Sequence, residues 1–153
     1  MDPDEFINQI GNVCGMVCAE YNLPASVCIA QAAIESGWGK YVIGNHNYFG
    51  RKWNGTGPYV EEPTQEYIGG RYVNIYDKFQ SYDSLEDAIR DWCVLIKEEP
   101  AYADALHEWE TTWDIPAFVY ALAPVYATDP DYANKVLSTI SANNLERFDG
   151  WDD

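Results

Sequence analysis

Basic residues are the first thing this sequence is short of. Lys and Arg together number 9 of 153 residues against 25 Asp and Glu, which leaves a net charge of −16 at pH 7. Proteins bind a nucleic-acid backbone mainly through Lys and Arg, so this chain is not expected to bind one. An excess of carboxylates is typical of a surface that keeps a domain soluble, and by itself it indicates no particular ligand.

Long apolar runs and metal-binding patterns are missing as well. No uninterrupted apolar stretch approaches the ~18–20 residues of a membrane span, so we expect no membrane insertion. None of the four cysteines lies in a Cys-x-x-Cys pair or near a histidine in sequence, which argues against a zinc site. By default we interpret Cys14, Cys18, Cys28 and Cys93 as buried thiols that pack like small hydrophobic side chains. One or two disulfides stay open if the protein is exported.

A secretory signal is also lacking. The chain begins Met1-Asp2-Pro3-Asp4-Glu5, which has neither the basic nor the apolar region of such a signal. Either export uses another route, or the chain is a module of a longer protein. Its 153 residues fit one ordinary domain with its own core. We place that domain at residues 1–148 and expect residues 149–153 to be a frayed tail.

What the sequence does contain is organised around an apolar helix that ends in a carboxylate. Residues 24–34 are apolar nearly all round and predict a buried central helix, with Glu35 in its last turn. Gly37 closes the helix, because glycine adopts the left-handed conformation without a steric penalty. The helix dipole and partial desolvation both oppose ionisation of Glu35, so its pKa should be raised, as a general acid requires. The alternative is that Glu35 only caps a loop or pairs with Lys40 or Arg51.

The other elements follow from caps, turns and periodic apolar residues. Asp2-Pro3 with Glu5 predicts the start of a first helix. After Glu35, glycines and asparagines mark a loop of about two dozen residues, whose aromatic side chains favour an ordered, ligand-facing loop. The chain is therefore expected to be an α+β domain that is predominantly α. Further helices are predicted from 83–86 to just before Pro100, over 101–109, from 114–116 to a stop at Pro124, and from Asp129-Pro130 to 143–144.

A single β-hairpin is predicted over residues 64–76, with Gly69-Gly70 as its two-residue turn. In this register Glu66 lies on the more apolar face of the hairpin. A carboxylate is anomalous on such a face. Either a catalytic role or an ion pair with Arg71 or Lys78 explains it.

Four segments, taken together and in order, resemble the glucosaminidase domain of glycoside hydrolase family 73. These are the peptidoglycan hydrolases of bacterial autolysins, flagellar-rod cell-wall hydrolases and phage lysins. The resemblance covers nearly the whole chain, although no single segment would be specific alone. The segments are Ala-Gln-Ala-Ala-Ile-Glu-Ser-Gly-Trp-Gly at 30–39, Asn-Tyr-Phe-Gly at 47–50, Thr-Gln-Glu-Tyr at 64–67 with Asp-Lys-Phe at 77–79, and Tyr-Ala-Thr-Asp-Pro-Asp-Tyr-Ala at 126–133.

The resemblance implies a lysozyme-like fold, in which helices flank a cleft and the hairpin forms one wall of it. Glu35 would be the general acid that protonates the glycosidic oxygen, and Glu66 would be the second carboxylate. Departures from the family pattern at Tyr48 and Arg51 are not expected to touch the chemistry. The residues expected to line the cleft around the sugar are Asn47, Phe49, Tyr126, Tyr132 and, as a stacking platform, Trp53. For the two cleft tyrosines, core packing is the alternative.

The implied activity is that of an endo-β-N-acetylglucosaminidase, which cleaves the β-1,4 bond between N-acetylglucosamine (GlcNAc) and N-acetylmuramic acid (MurNAc) in peptidoglycan. A muramidase or lytic transglycosylase acting on the same strand is one alternative, and a non-catalytic glycan-binding module is another. Inverting, retaining and substrate-assisted mechanisms all stay open, and no metal or cofactor is implied. We expect a monomer that acts at the bacterial cell wall, with a wall-binding module or delivery assembly in a longer parent.

Overall fold

The computed structural model describes residues 2–150, and within that range it contains six α-helices, two short 3₁₀ helices and one antiparallel hairpin. The prediction of a mainly helical α+β domain with a single hairpin is therefore confirmed. No helix in this part of the chain is long and apolar enough to cross a membrane. In chain order the elements are α1 Pro3–Glu20, α2 Ala25–Ser36, β1 Tyr59–Ile68, β2 Arg71–Gln80, α3 Leu85–Glu98, a 3₁₀ helix Pro100–Tyr102, α4 Ala103–Thr112, α5 Ile115–Tyr126, α6 Tyr132–Ala142 and a 3₁₀ helix Leu145–Phe148.

Helix α2 is the centre of the fold, as its composition predicts. Every residue from 25 to 33 is buried, and α1, α6 and the C-terminal 3₁₀ helix pack around it. The helix ends where Gly37 adopts the left-handed conformation, with φ of 58°. Ser36 secures this end, because its hydroxyl donates to Ala32 O at 2.7 Å and accepts from the Gly39 N–H at 2.9 Å.

Helix starts agree with the sequence to within two residues. The Asp2 carboxylate accepts a hydrogen bond from the Glu5 N–H at 2.9 Å and caps α1 as predicted. Helix α3 is capped by Ser84, whose hydroxyl accepts from the Asp87 N–H at 3.1 Å, so its cap lies one residue later than the segment 83–86 indicates. Helix α6 begins two residues after the predicted Asp129-Pro130 start.

The prediction that Pro124 ends α5 is wrong, because the helix runs on to Tyr126. Pro124 has no N–H to donate to the Tyr120 carbonyl, so this one helical hydrogen bond is missing. The next turn still forms, and the Ala127 N–H donates to Ala123 O at 3.0 Å. This extension carries Tyr126 to the tip of the helix.

The four cysteines lie in the core where α1, α2 and α3 meet. All four are free thiols and buried, which confirms that they pack as small hydrophobic groups. The Sγ atoms of Cys14 and Cys28 are 4.0 Å apart, and those of Cys18 and Cys93 are 3.8 Å apart. Burial raises the pKa of Cys14 and Cys28, so these two sulfurs stay protonated in the core.

The hairpin has the predicted turn and register but longer strands. Gly69 and Gly70 form the turn, and Glu66 pairs with Val73. Residues 51–53 hydrogen-bond to the far edge of β2, since the Gln80 N–H donates to Arg51 O and the Trp53 N–H donates to Lys78 O, both at 3.0 Å. The base of the hairpin is therefore attached to the loop that precedes it.

Near its C-terminal end, the chain comes back to pack against the start of α2. The Asp149 carboxylate accepts a hydrogen bond from the Ser26 N–H at 2.8 Å, so this residue of the predicted frayed tail is held in place. Partial burial raises the pKa of Asp149 to about 6. Residues 151–153 of the predicted tail lie outside the described residues.

Candidate active site

A cavity of about 310 Å³ opens between the end of α2, the loop before the hairpin, α3 and the end of α5. It brings together three of the residues predicted for the cleft, namely Glu35, Phe49 and Tyr126. A larger hollow of about 440 Å³, beside residues 120–134, contains none of the predicted site residues. The smaller cavity is lined by Glu35, Phe49, Gly50, Arg51, Lys52, Leu95, Tyr102 and Tyr126.

Glu35 is exposed to solvent and lines the cavity. Its Oε2 accepts a hydrogen bond from the Tyr132 hydroxyl at 3.2 Å. Partial burial raises the pKa of Glu35 and the Tyr132 hydrogen bond lowers it, with burial the larger effect, so the net shift is upward. Among residues 2–150, neither Lys40 nor Arg51 forms an ion pair with Glu35, since Arg51 pairs with Asp91 at 3.1 Å.

Two tyrosines stack beside Glu35 where α5 ends and α6 begins. The rings of Tyr126 and Tyr132 are 5.8 Å apart and nearly parallel, with 12° between their planes. Tyr132 is buried, and its hydroxyl also accepts from Gln31 Nε2 at 3.1 Å. Tyr126 is partly exposed and lines the cavity. Desolvation raises the pKa of both phenols, so both are neutral hydroxyls.

Asn47 is buried, and its side-chain amide forms hydrogen bonds with backbone groups. Its Nδ2 donates to Arg51 O and to Gln80 O, both at 2.9 Å, and its Oδ1 accepts from the Arg51 N–H at 3.0 Å. Asn47 thus ties the cavity-lining residues 49–52 to the base of the hairpin. With both N–H donors occupied, contact with a substrate stays a prediction.

The two aromatic residues of the loop lie in different surroundings. Phe49 is 4% exposed, and its ring stacks on Trp92 at 6.5 Å, so it belongs to the core as well as to the cavity wall. Trp53 is not among the cavity-lining residues. Its ring lies 4.6 Å from that of Tyr59, with Lys78 Nζ 5.1 Å from the indole. Its predicted role as a sugar-stacking platform stays a prediction.

Glu66 lies in the outer half of β1 and is exposed. Paired residues of a hairpin point to the same face, and alternate residues along a strand share it, so Glu66 shares a face with Val73, Asp77 and Phe79. Lys52 lies on that face too, because its Nζ hydrogen-bonds to Asp77 and is 5.8 Å from the Phe79 ring centre. Lys52 also lines the cavity, but among the described residues none that lines it belongs to the hairpin itself.

The ion pair that was the alternative role for Glu66 is not formed within the described part of the chain. Lys78 lies instead over the rings of Trp53 and Tyr59, at 5.1 and 4.8 Å from their centres. Arg71 is exposed next to the turn and forms no ion pair either, among residues 2–150. Glu66 is an exposed carboxylate that does not line the cavity, and its catalytic role stays a prediction.

Sequence reasoning missed three polar residues of the cavity, Arg51, Lys52 and Tyr102. Arg51, which it set aside as a departure without chemical consequence, lines the cavity and is held by Asp91, which also accepts from the Tyr82 hydroxyl at 2.5 Å. Its position directly after the Asn-Tyr-Phe-Gly segment was the available signal. Tyr102 comes from the 3₁₀ helix after α3 and lies in no motif, so nothing in the sequence marked it.

Known protein families and curated proteins match this chain over most of its length. Residues 13–145 match the Glucosaminidase family, described as mannosyl-glycoprotein endo-beta-N-acetylglucosaminidase. The chain is 34% identical over 155 residues to a probable N-acetylmuramidase of Lactococcus lactis subsp. lactis, covering 96% of this chain and 35% of that protein. It is 33% identical over 144 residues to the peptidoglycan hydrolase FlgJ of Pseudomonas aeruginosa, covering 87% and 35%. The chain thus spans about a third of the length of these relatives.

Solved structures agree with this match. The crystal structure of the catalytic domain of the autolysin Auto from Listeria monocytogenes superposes with a TM-score of 0.82 at 32% identity. The superposition covers 96% of this chain and 87% of that domain. The arrangement of helices and hairpin described above is therefore similar to that of the autolysin's catalytic domain over most of its length.

Proposed function

The chain belongs to the glucosaminidase family and has its lysozyme-like fold, and from this we propose that it is a peptidoglycan hydrolase acting as an endo-β-N-acetylglucosaminidase. The bond it would cleave is the β-1,4 linkage between GlcNAc and MurNAc. The family description supports the bond type, and the printed name of the FlgJ relative supports the polymer. The observation that carries the proposal is Glu35, a carboxyl group with a raised pKa at the mouth of a cavity.

In this proposal Glu35 is the general acid. Hydrolysis of a glycoside requires a donor that is still protonated near neutral pH and can reach the glycosidic oxygen. Partial burial raises the pKa of Glu35 in the direction that the first condition requires, and its place in the cavity supports the second. Once the proton has left, the Tyr132 hydroxyl stabilises the Glu35 carboxylate, because it donates a hydrogen bond to Oε2.

Glu66 is the second carboxylate of the proposal. It lies on the hairpin face that Lys52, a residue of the cavity wall, contacts through Asp77 and Phe79, and it forms no ion pair among residues 2–150. A group in that place can activate water or stabilise the oxocarbenium-like transition state. The N-acetyl group of the substrate can also take part through its own carbonyl oxygen. Inverting, retaining and substrate-assisted mechanisms differ in how strongly they depend on Glu66.

The sugar is proposed to bind between the aromatic rings of the cavity. Tyr126 offers a partly exposed ring and hydroxyl, and Phe49 forms part of the wall. Rings of this kind stack on the apolar faces of sugars while their polar groups fix orientation. Asn47 would act indirectly, since its amide holds the backbone of residues 49–52. Trp53 would shape the adjoining loop.

A muramidase is the second candidate, and the printed name of the Lactococcus relative favours it. Both activities need one protonated glutamate in the same cleft, so Glu35 does not discriminate between them. They differ in which sugar carries the new reducing end. The digestion products therefore show which glycosidic bond the enzyme cleaves.

The test is digestion of purified peptidoglycan by the wild type and by Glu35→Gln, with reducing ends identified by borohydride reduction and mass spectrometry. Reduced GlcNAc ends from the wild type alone are the expected result. The matched control is Glu98→Gln, because Glu98 also lies in the last turn of a helix but does not line the cavity. Reduced MurNAc ends would indicate a muramidase, and 1,6-anhydro-MurNAc a lytic transglycosylase. Binding without any products would indicate a glycan-binding module.

The place of action follows from the substrate. A peptidoglycan hydrolase acts at the bacterial cell wall, and we expect this domain to do so as a monomer. Because the relatives are about three times as long as the match, a wall-binding module or a delivery assembly in a longer parent is the proposed means of attachment.

A further inference from the structure

A chain of buried hydrogen bonds leads from the core to the carboxyl group of Glu35. Trp92 Nε1 donates to Gln31 Oε1 at 2.9 Å, and Gln31 Nε2 donates to the Tyr132 hydroxyl at 3.1 Å. The Tyr132 hydroxyl is 3.2 Å from Glu35 Oε2. Trp92 comes from α3, Tyr132 is the first residue of α6, and Gln31 precedes Glu35 by one turn on the same face of α2. Trp92 and Gln31 are fully buried and Tyr132 is 3% exposed, so bulk water does not compete for these bonds.

The direction of every bond in this chain is fixed by its first member. An indole N–H can only donate, so Gln31 must present its carbonyl oxygen to Trp92. The amide nitrogen of Gln31 therefore faces Tyr132, and an amide NH₂ can only donate as well. The Tyr132 oxygen is thus an acceptor on the Gln31 side, and its single proton is left for Glu35.

This direction determines where the acid proton of Glu35 lies. A protonated carboxyl group carries one hydrogen, and Oε2 is already the acceptor for Tyr132. Building on the proposed role of Glu35 as the acid, we propose that Trp92 and Gln31 are positioning residues that fix the Tyr132 hydroxyl toward Glu35 and so keep the acid proton on Oε1. Without them the Tyr132 hydroxyl could rotate and accept the proton of Glu35 instead, which would withdraw that proton from a substrate.

Other charged and titratable groups face Glu35 from every element around the cavity. They lie around the cavity, whereas within residues 2–150 Tyr132 is the side chain that hydrogen-bonds to its carboxyl group. A substitution at Gln31 leaves all of them in place, so a change in the Glu35 pKa would report the hydrogen-bond chain. These groups are Arg51 and Lys52 from the loop, Asp91 from α3 through its pair with Arg51, Tyr102 from the 3₁₀ helix and Tyr126 from α5.

The experiment is an NMR titration of the Glu35 side chain in protein carrying ¹³C-labelled glutamate, with the Glu35 signal assigned from its loss in Glu35→Gln. Tyr132→Phe should raise the pKa of Glu35, because it removes the donor that favours the carboxylate. Gln31→Met should also raise it, because the freed hydroxyl can now accept from the protonated carboxyl group. The double variant should show the shift of Tyr132→Phe alone, since Gln31 acts only through Tyr132.

Two results would overturn the proposal. One is a Glu35 pKa in Gln31→Met equal to that of the wild type, and the other is a double variant in which the two shifts add. Gln31→Met leaves the buried Trp92 N–H without an acceptor, so the titration is repeated in Gln31→Met with Trp92→Phe, where no buried N–H is left unpaired. The smaller ring costs stability of its own, but it adds no polar group near Glu35. Tyr120→Phe is the matched control, because the Tyr120 hydroxyl bonds to Asn134 outside the cavity.

The titration needs no substrate, so it separates this proposal from the proposed function. A wild type that releases no peptidoglycan fragments would refute the activity and leave the pKa comparison readable. In an active enzyme, the pH dependence of kcat/KM gives an independent measure of the Glu35 pKa. The alkaline limb of kcat/KM should move to higher pH in Gln31→Met together with the Glu35 pKa, whereas a purely structural defect would lower the profile without moving it.

Discussion

The pKa of Glu35 is set by two opposing influences, partial burial and a hydrogen bond from Tyr132. The sequence predicted a raised pKa from the end of an apolar helix, and the direction is confirmed, with burial as its largest cause. The hydrogen bond that moderates the shift comes from Tyr132, 97 residues further along the chain. The position of Glu35 in α2 was readable from local sequence, but this partner was not readable as a contact, because it depends on how α6 packs against α2.

The second carboxylate allows a direct test at a single position. We expect Glu66→Gln to lower kcat on peptidoglycan by roughly 10²-fold or more, because the group would no longer activate water or stabilise positive charge. The melting temperature should not change, since Glu66 is exposed and forms no ion pair within residues 2–150. Initial rates of fragment release and thermal unfolding measure the two effects.

Glu61→Gln is the matched control, because Glu61 is exposed on the same strand, but its side chain points to the opposite face. If Glu66→Gln kept nearly wild-type kcat, the second role would pass to the N-acetyl group of the substrate. Glu35 would then be the single catalytic carboxylate, and the substrate-assisted route would be the one that remains.

Among the helices and strands, what could be predicted were the features with local causes. The Asp2 cap, the Gly37 stop and the Gly69-Gly70 turn depend on neighbours a few residues away, and the structure has these three as predicted. Pro124 was misjudged because a proline removes one hydrogen bond and can kink a helix without ending it, and α5 continues for two residues beyond it. The cavity residue Arg51 was set aside because its place there depends on packing between the loop and α3 rather than on a pattern.

The attachment of the loop to the hairpin depends on Asn47, and its loss should be costly. Asn47→Ala leaves the Arg51 N–H and the carbonyl groups of Arg51 and Gln80 without their partner. We expect the free energy of unfolding to fall by about 2–3 kcal/mol, the usual cost of leaving buried polar groups unpaired. Activity should fall as well, because residues 49–52 line the cavity. Urea denaturation followed by fluorescence measures the stability.

Asn74→Ala is the comparison, because Asn74 is an exposed hairpin residue whose Oδ1 accepts from Gln65 Nε2 at 3.2 Å. This substitution should change the unfolding free energy by less than about 0.5 kcal/mol, as surface substitutions usually do. Equal and small effects at both positions would mean that water replaces the Asn47 bonds, and that the loop is held by its backbone pairing with β2 alone.

The whole molecule carries a net charge of −16, which affects the rate at which it approaches its proposed substrate. Bacterial cell-wall polymers are often anionic, so long-range repulsion should slow the approach of the domain to an insoluble wall. We expect the initial rate on whole peptidoglycan to rise several-fold between roughly 0.01 and 0.15 M salt, as the screening length falls from about 30 to about 8 Å. Turbidity assays over this range of ionic strength measure it.

A short, uncharged glycan fragment is the control substrate, and its hydrolysis should be nearly insensitive to salt because it is not repelled. A rate on whole peptidoglycan that falls with salt would contradict the prediction. It would mean that attraction by the cations of the cavity, Arg51 and Lys52, outweighs the net charge during the encounter. In that case a basic wall-binding module would no longer be needed to bring this domain to the wall, and the acidic surface would serve solubility alone.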